Sequence, residues 1–328
     1  MIVKIELLKK ICISALIHSG LSFSDAESVF NHLLDEELLG KHSHGFIRMP
    51  AILNTIRSFS GKSEIVIETR STFVKRLITK NTLGLIAASK VASCVIETAS
   101  DAGLAMVSGI GYEGTTGALG YYGRLLAKHS LIGIITCTSE YAVAPWGGKD
   151  AILGTNPIAI AIPNGDSPVI TDFATAAMTY GDLMLAAKEG RTVPYGIVLD
   201  ADGNPSHDPN DANNGAQLPM AQHKGYALSL AVEVLAGLFI GAKSGKEAVA
   251  GSDGILMLAF KPDLFIPENV YYSNISSLIQ EIKSSSLAQD STEIRIPGEG
   301  SMRRIDDGYT TNLCEIPDAI YEELLRLK

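Results

Sequence analysis

A histidine, a serine and an arginine stand close together near the start of the chain. The segment His42-Ser43-His44-Gly45 precedes Arg48, and His44 and Arg48 are four residues apart. If the segment is helical, this spacing places the imidazole and the guanidinium on one face. A guanidinium binds a carboxylate through two parallel hydrogen bonds, and an imidazole exchanges a proton with the adjacent carbonyl or hydroxyl oxygen. The pair suits a small 2-oxo or 2-hydroxy acid, although a solvated polar helix end would show the same spacing.

Glycine-rich clusters elsewhere have compositions that suit ligand binding. Ala144-Pro145-Trp146-Gly147-Gly148 is followed by Gly154-Thr155-Asn156-Pro157, and glycines let backbone amides approach a ring or a phosphate closely. His223-Lys224-Gly225-Tyr226 starts a predicted long helix, where the helix dipole and a lysine favour an anion. Ile296-Pro297-Gly298-Glu299-Gly300 is predicted to be a turn. Ordinary turns and a plain helix start would account for each cluster taken alone.

The segment Gly109-Ile110-Gly111-Tyr112-Glu113-Gly114 matches the G-x-G-x-x-G pattern of Rossmann dinucleotide loops. Further residues separate it from the next predicted helix, and the acidic residue expected about 20 residues later is not well placed. We therefore interpret the segment as a glycine turn that lines some other site.

The composition excludes several classes of protein. The formal net charge of −9 and the pI near 5.3 argue against a nucleic-acid partner. Cys12, Cys94, Cys137 and Cys314 are far apart and form no CxxC pair, so we predict buried thiols in a reducing cytoplasm and no metal site. The apolar residues near the N-terminus recur at helical spacing, and no apolar run has transmembrane length. We expect a cytoplasmic enzyme with no membrane partner.

Helical patterns occupy both chain ends, and strands alternate with helices between them. Ser24 and Glu27 match an S-x-x-E capping box for a helix that ends near Gly40. Residues 200–219 are predicted to be an exposed loop. Strands are predicted at 104–108, 131–136, 158–162, 169–173, 197–199 and 255–260, with helices at 83–99, 118–129, 178–189 and 225–240 and again from 275 and 318 onward. This order predicts an α/β fold.

Taken together and in this order, the clusters resemble the malate/L-lactate dehydrogenase family of the second type. That family also includes sulfolactate, ureidoglycolate and diketogulonate enzymes and the piperideine-2-carboxylate reductases. The resemblance implies an α/β (α+β) fold that is not Rossmann. A helical domain would be formed by residues 1–75 with 275–328, and a mixed-sheet NAD(P)-binding domain by residues 76–274. It also implies a homodimer, NAD or NADP as cofactor and a small carboxylate substrate.

The resemblance also implies roles for individual residues. His44 matches the catalytic acid/base, with Ser43 beside it and Arg48 as the carboxylate clamp. The positions that match cofactor contacts are Ser139, Asp172, Ala174, Thr175, Lys224, Gly225, Gly298 and Glu299.

The chain departs from the family at a position that bears on the chemistry. Many members carry Asn-His-Phe-Gly, whose histidine serves the substrate, where this chain has Gly114-Thr115-Thr116-Gly117. Thr115 can still bind substrate or a water molecule, but it cannot titrate near neutral pH. His42 stands where an aspartate is usual before Ser-His-Gly, and Thr138 replaces an asparagine.

We therefore predict an NAD(P)-dependent oxidoreductase that reduces a small 2-oxo acid, with His44 as the proton donor. Loss of the second histidine leaves two alternatives open. One is reduction of a cyclic imine carboxylate, since an iminium carbon needs less acid assistance than a ketone. The other is a catalytically silent module that binds the cofactor.

Overall fold

Helices gather where the two ends of the chain meet, and a seven-stranded sheet is built from the sequence between them. We describe residues 1–327 of a computed structural model of the protein. The helices are α1 (Ile5–His18), α2 (Phe23–Leu38), α3 (Met49–Ser58), α4 (Gly84–Ala102), α5 (Leu119–Lys128), α6 (Tyr180–Lys188), α7 (His223–Val232), α8 (Glu268–Ser284), α9 (Glu299–Thr311) and α10 (Asp318–Leu325). The strands are β1 (Ile2–Lys4), β2 (Glu64–Ser71), β3 (Val74–Lys80), β4 (Leu104–Ile110), β5 (Ile132–Cys137), β6 (Ile158–Ile162), β7 (Val169–Phe173), β8 (Val198–Leu199), β9 (Pro205–Ser206), β10 (Ala216–Gln217), β11 (Gly254–Phe260) and β12 (Leu313–Glu315).

The main sheet has the strand order β2-β3-β4-β11-β5-β6-β7. Only β3 and β4 pair in parallel, and the other neighbours are antiparallel. On the central strand β11, Met257 lies opposite Val107 of β4 and Ile135 of β5. Helices α4 and α5 bury one face of the sheet, and the helical segment that begins with α7 covers part of the other. The predicted α/β class is confirmed as a mixed sheet with helices.

The two chain ends share one hydrophobic core. Strand β1 pairs antiparallel with β12, with Val3 opposite Cys314. Helices α1, α2, α3 and α10 pack with the first turn of α4, because each presents apolar residues at helical spacing to the others. This packing fixes the N-terminal helices, and with them the loop that follows α2.

Helix α2 begins earlier than the capping box at Ser24 and Glu27 predicts. Its N-cap is Ser22, whose hydroxyl accepts a hydrogen bond from the Asp25 amide at 3.1 Å. Ser24 lies inside the first turn, so the capping-box prediction is wrong by two residues. The end of the helix agrees with the prediction, since Gly40 has a φ of +75°.

The sequence patterns gave no indication of the β2–β3 hairpin or of α9. Strand β2 lies at the edge of the sheet and is largely exposed, so it lacks a clean apolar alternation. Helix α9 buries only Ile305 and Gly308, which leaves no helical stripe to recognise. The predicted loop at 200–219 contains β9 and β10, which pair with β8 in a small three-stranded sheet.

Helix α7 continues through a wider turn at 233–237 and a tighter one that ends at Ile240. The stretch His223–Ile240 has a mean hydropathy of 1.3, so by length and composition alone it is apolar enough to cross a membrane. Core helices of soluble proteins satisfy the same criterion. The apolar stripe, as we call its exposed large side chains, comprises Leu230, Val234, Leu235, Leu238 and Phe239.

Candidate active site

A cavity of about 1190 Å³ brings together residues from both the helical ends and the sheet. Its walls come from the loop after α2, the glycine loop after β4, the segments after β5 and β7, and the start of α6. Seven of the twelve residues predicted to contact substrate or cofactor line it: Ser43, His44, Arg48, Thr115, Ser139, Asp172 and Ala174.

The predicted histidine–arginine pair lies in this cavity on two short 3-10 turns, His42–His44 and Phe46–Arg48. His44 Nδ1 shares a hydrogen bond of 3.0 Å with Ser43 Oγ. Arg48 Nε donates to the carbonyl oxygen of Ser43 at 2.7 Å. No other hydrogen bond of the Arg48 guanidinium occurs within residues 1–327, so its Nη groups are available to a carboxylate.

Glu37, at the end of α2, fixes this loop through contacts with His42 and Phe46. The carboxylate is almost fully buried; Oε1 lies 2.5 Å from His42 Nδ1, and Oε2 accepts a hydrogen bond of 2.9 Å from the Phe46 amide. A Cβ atom at Gly45 would clash with Glu37 Oε2. One side chain therefore fixes both 3-10 turns and the glycine between them.

The surroundings of His44 favour its neutral form. Burial, and then the positive charge of Arg48, lower the pKa of His44 below its ordinary value, while Glu36 and Asp172 oppose the shift. His44 is therefore a proton acceptor near neutral pH. A carboxylate bound to Arg48 would offset that positive charge and raise the pKa of His44, which would prepare the imidazole to donate.

His42 responds in the opposite direction. Its hydrogen bond with Glu37 raises the pKa of His42 above the ordinary value, against a smaller effect of burial. The residue that replaces the expected aspartate is thus the cationic partner of a buried carboxylate.

Ion pairs, of which those of Arg124 are largely buried, fix the end of α2 against the sheet. Arg124 of α5 lies 2.9 Å from Glu36 and 3.4 Å from Asp35. Lys41 Nζ donates to Asp172 Oδ2 at 3.0 Å. Asp172, predicted to contact the cofactor, lines the cavity and is paired there with Lys41.

Ser139 and Thr175 are joined through one loop. Ser139 Oγ accepts a hydrogen bond of 2.9 Å from the Thr155 amide. The Thr175 hydroxyl donates at 3.0 Å to the carbonyl oxygens of Thr155 and Asn156. Ser139 and Thr155 line the cavity, whereas Thr175 is fully buried behind its wall. The Gly-Thr-Asn-Pro segment is thus a wall that Thr175 holds in place.

A second cavity of about 400 Å³ lies next to the first and shares Lys41, Asp172 and Phe173 with it. Gly298, predicted to contact the cofactor, lines this second cavity with a φ of +90° at the start of α9. The predicted turn at 296–300 therefore ends in a helix. The arrangement provides a continuation of the main site toward α9.

Besides Thr175, three predicted cofactor residues line neither cavity. Lys224 is exposed, and Gly225 is buried against the carbonyl of Met220, which does line the main cavity. Glu299 is engaged elsewhere, since hydrogen bonds from Lys283 and other donors lower the pKa of Glu299 to about 2. Their roles toward a cofactor stay predictions.

The glycine loop after β4 is held by a histidine that the sequence analysis did not single out. His32 Nε2 accepts a hydrogen bond of 3.0 Å from the Ala118 amide, and burial keeps the pKa of His32 well below its ordinary value. Thr115 Oγ1 accepts from the Gly117 amide at 2.9 Å. His32 is a neutral support for the loop, and Thr115 leaves that part of the cavity without a titrating histidine.

Glu37 was also missed, although the sequence contains a signal for it. The residue follows Phe30 by seven positions and Leu33 by four, so it lies on the apolar face of α2. A carboxylate on such a face is rarely left without partners.

Replacing Glu37 should destabilise the protein. Glu37→Ala leaves the Phe46 amide and His42 without their buried acceptor, and should lower the free energy of unfolding by about 3 kcal/mol. Glu37→Gln should cost less because the amide oxygen can still accept from Phe46. Chemical denaturation measures both effects. The matched control is Glu27→Ala, also on α2, which removes an exposed ion pair with Lys9 of α1.

The free energy of unfolding that the His42–Glu37 pair contributes should decrease as the pH rises. Because the folded-state pKa of His42 is raised, the stabilisation from its pair with Glu37 is complete below about pH 6.5, the ordinary pKa of histidine. It disappears as the pH rises through the folded-state value. A difference between wild type and Glu37→Gln that grows with pH would contradict the pairing.

Known proteins resemble this chain over nearly its whole length. The family model described as malate/L-lactate dehydrogenase matches residues 3–325. The malate/(S)-sulfolactate dehydrogenase of Methanothermus fervidus is 37% identical over 99% of both chains. The (2R)-3-sulfolactate dehydrogenase (NADP(+)) of Chromohalobacter salexigens is 32% identical, covering 96% of this chain and 94% of its own. The solved structure of sulfolactate dehydrogenase from Methanocaldococcus jannaschii superposes with a TM-score of 0.88 at 31% identity, covering 100% of this chain and 96% of its own. Since the family model matches residues 3–325, the chain belongs to the malate/L-lactate dehydrogenase family.

Proposed function

We propose that this enzyme catalyses reversible hydride transfer between NAD or NADP and a small 2-oxo or 2-hydroxy acid, with His44 as the acid/base. The observation that carries the proposal is the loop at 42–48, where a neutral imidazole stands beside an arginine whose Nη groups are free. Among its relatives, the sulfolactate dehydrogenase of Chromohalobacter salexigens is named as an NADP(+) enzyme and a ureidoglycolate dehydrogenase of Escherichia coli as an NAD(+) enzyme.

The residues present fit a dinucleotide. The main cavity is larger than most ligand pockets, and the second cavity extends it. Small residues such as Ala174 and Ala177 form part of its wall, and Ser139 and Thr155 supply hydroxyl groups. We propose that these walls and the residues around Asp172 and Gly298 hold the cofactor in a manner unlike the Rossmann fold.

The loop residues divide the work of the reaction. When bound, the nicotinamide supplies a hydride to the carbonyl carbon or takes one from the alcohol carbon. Arg48 binds the substrate carboxylate, which orients the carbonyl toward the imidazole. In reduction the His44 imidazolium gives its proton to the carbonyl oxygen, and in oxidation the neutral imidazole takes the hydroxyl proton. Ser43 fixes the ring through Nδ1, so that Nε2 is the atom that exchanges the proton.

Malate and sulfolactate, the substrates in the relatives' names, are the first compounds to test. Each combines a 2-hydroxy acid with a second anionic group. The matching oxo acids would use Arg48 for the carboxylate next to the carbonyl.

Thr115 favours a second candidate function. Because no titrating group stands where much of the family has a histidine, a substrate that needs little acid assistance would also suit the site. Reduction of a cyclic imine carboxylate meets that condition. Oxaloacetate and piperideine-2-carboxylate, offered separately with NADPH and NADH, distinguish the two functions.

His44→Ala should lower kcat for the preferred substrate by about two orders of magnitude. In wild type, kcat/KM for oxidation should rise with pH and level off above the lowered pKa of His44, because oxidation needs the neutral imidazole. Steady-state kinetics over pH measure both. His129→Ala, at the exposed end of α5, is the control. Full activity of His44→Ala, or binding of NAD(P)H without turnover of any oxo acid or imine, would overturn the proposal.

The domain division stays a prediction. The shared core of the two chain ends supports a helical part, and the main sheet supports a separate cofactor part. The predicted boundary near residue 75 falls within the β2–β3 hairpin, whose strands both belong to the main sheet.

We also propose a cytoplasmic location, because Cys12, Cys94, Cys137 and Cys314 are free and buried.

We propose that a second copy of the chain covers the apolar stripe. Leu238 and Phe239 are each 61% exposed, and with Leu230, Val234 and Leu235 they follow one helical face. An apolar surface of this kind rarely faces water in a soluble protein. A homodimer with closed symmetry would bury the stripe on both copies.

Leu238→Glu together with Phe239→Glu should convert the dimer to a monomer, because each charge would be buried without a partner. Light scattering after size-exclusion chromatography measures the mass. Phe23→Glu, at a 59% exposed position on α2, should leave the dimer intact. A monomeric wild type, or a double variant that stays dimeric, would refute this assignment.

A further inference from the structure

Asp253 is an acidic side chain in the main cavity that the proposed mechanism does not use. It lines the same walls as His44, Arg48 and Thr115. Its Oδ1 atom is buried and has no hydrogen-bond partner. In the part of the chain that the structure describes, no cation or amide pairs with this carboxyl group. Burying an acid without a partner costs stability, so the position needs an explanation.

The backbone beside Asp253 is rigid. The Gly254 amide donates to Thr138 Oγ1 at 2.9 Å, and the Thr138 amide donates back to the Gly254 carbonyl at 2.9 Å. Gly254 also opens the central strand β11, opposite Ile110 of β4. These bonds place the residue next to Asp253 at the end of the sheet, so the carboxyl group lies where β11 begins.

The groups around Asp253 oppose its ionisation. Burial raises its pKa to about 7, and the nearby carboxylates of Glu140 and Glu233 contribute in the same direction. Tyr112 and Cys137 also face it, and burial raises the pKa of both, so they stay neutral. Asp253 thus changes charge close to neutral pH, although an ordinary aspartate is ionised there.

We propose that Asp253 sets the charge that the cavity accepts: its neutral form admits an anionic substrate, and its ionised form binds one more weakly. The inference rests on the proposed function for the identity of the substrate, which is a small organic anion. Neutral Asp253 leaves Arg48 and Lys41 to dominate one side of the cavity. Ionised Asp253 adds a negative charge to those of Glu140 and Asp172 in the same walls.

The size of the effect follows from Coulomb's law. Two like charges about 10 Å apart, at an effective dielectric constant of about 20, change an affinity about tenfold. A dianion doubles this free energy, so ionised Asp253 should weaken its binding on the order of a hundredfold. Because the pKa of Asp253 is about 7 and about a tenth of the side chains are still neutral at about pH 8, the affinity for a dianion should fall about tenfold as the pH rises from about 6 to about 8. Asp253→Asn keeps the shape of the side chain but carries no charge, and should remove that part of the fall.

Calorimetry with oxalate tests this without turnover. Oxalate is a small dianion over the whole range from pH 5.5 to 8.5, so its own charge does not change. Wild type and Asp253→Asn are titrated at several pH values, and NADH binding is followed separately by fluorescence. We expect a larger decline in oxalate affinity near pH 7 in wild type than in Asp253→Asn, with equal NADH affinity in both proteins. Because oxalate should also raise the pKa of His44, deprotonation of His44 contributes a decline that is the same in both proteins, and the difference between them measures Asp253.

A second variant guards against misfolding of Asp253→Asn. Glu140→Gln removes a neighbouring negative charge, which makes Asp253 easier to ionise, and should move the decline to lower pH. The proposal is overturned if oxalate does not bind, if Asp253→Asn shows the wild-type decline, if Glu140→Gln leaves its midpoint unchanged, or if Asp253→Asn alters NADH affinity instead. Absence of turnover with every oxo acid and imine would refute the proposed function, while the oxalate profile would still decide the role of Asp253.

Discussion

The carboxylate of Glu37 sits beneath the loop that carries His44, and the geometry of the site depends on it. A buried carboxylate is stable only where its charge and its lone pairs are satisfied. Here His42 supplies the charge and the Phe46 amide supplies a hydrogen bond, both from the loop itself. If the loop opened, the buried Glu37 carboxylate would lose both partners, and this unfavourable free energy stabilises the two 3-10 turns in their observed positions. His44 and Arg48 are placed by that constraint.

The same end of α2 links the two parts of the molecule. Glu36 and Asp35 bind Arg124 on α5, and Lys41 binds Asp172 on β7. These pairs attach the helical core of the chain ends to the sheet along the edge of the main cavity. The cavity therefore has one wall from the helical core and one from the sheet. The distance between these walls is set by the ion pairs, which are largely shielded from solvent. Such pairs weaken less in salt than surface pairs do.

The sequence indicated which residues of the loop could do chemistry, but it did not indicate the residues and elements that hold the loop in place. His44 and Arg48 were identifiable because their spacing and residue types suit a carboxylate next to a carbonyl, and most central strands were identifiable because their apolar runs are buried. The exposed strand β2 and the polar helix α9 gave no such pattern. Asp253 could not be predicted, because its importance comes from Glu140 and Glu233, which reach it only in the folded chain. Thr115 is the opposite case, because the sequence alone shows that a threonine stands where much of the family has a histidine. In the described residues, no other histidine takes that place beside Thr115 in the cavity.

The central claim is that His44 is neutral in the empty site and gains basicity when Arg48 binds a carboxylate. Histidine NMR titration of the wild type, with the His44 signal assigned by its loss in His44→Gln, tests this directly. We predict a pKa below the ordinary value of about 6.5 in the free protein and a higher pKa in the presence of saturating oxalate. A pKa at or above about 6.5 in the free protein, or one that oxalate does not move, would contradict the account.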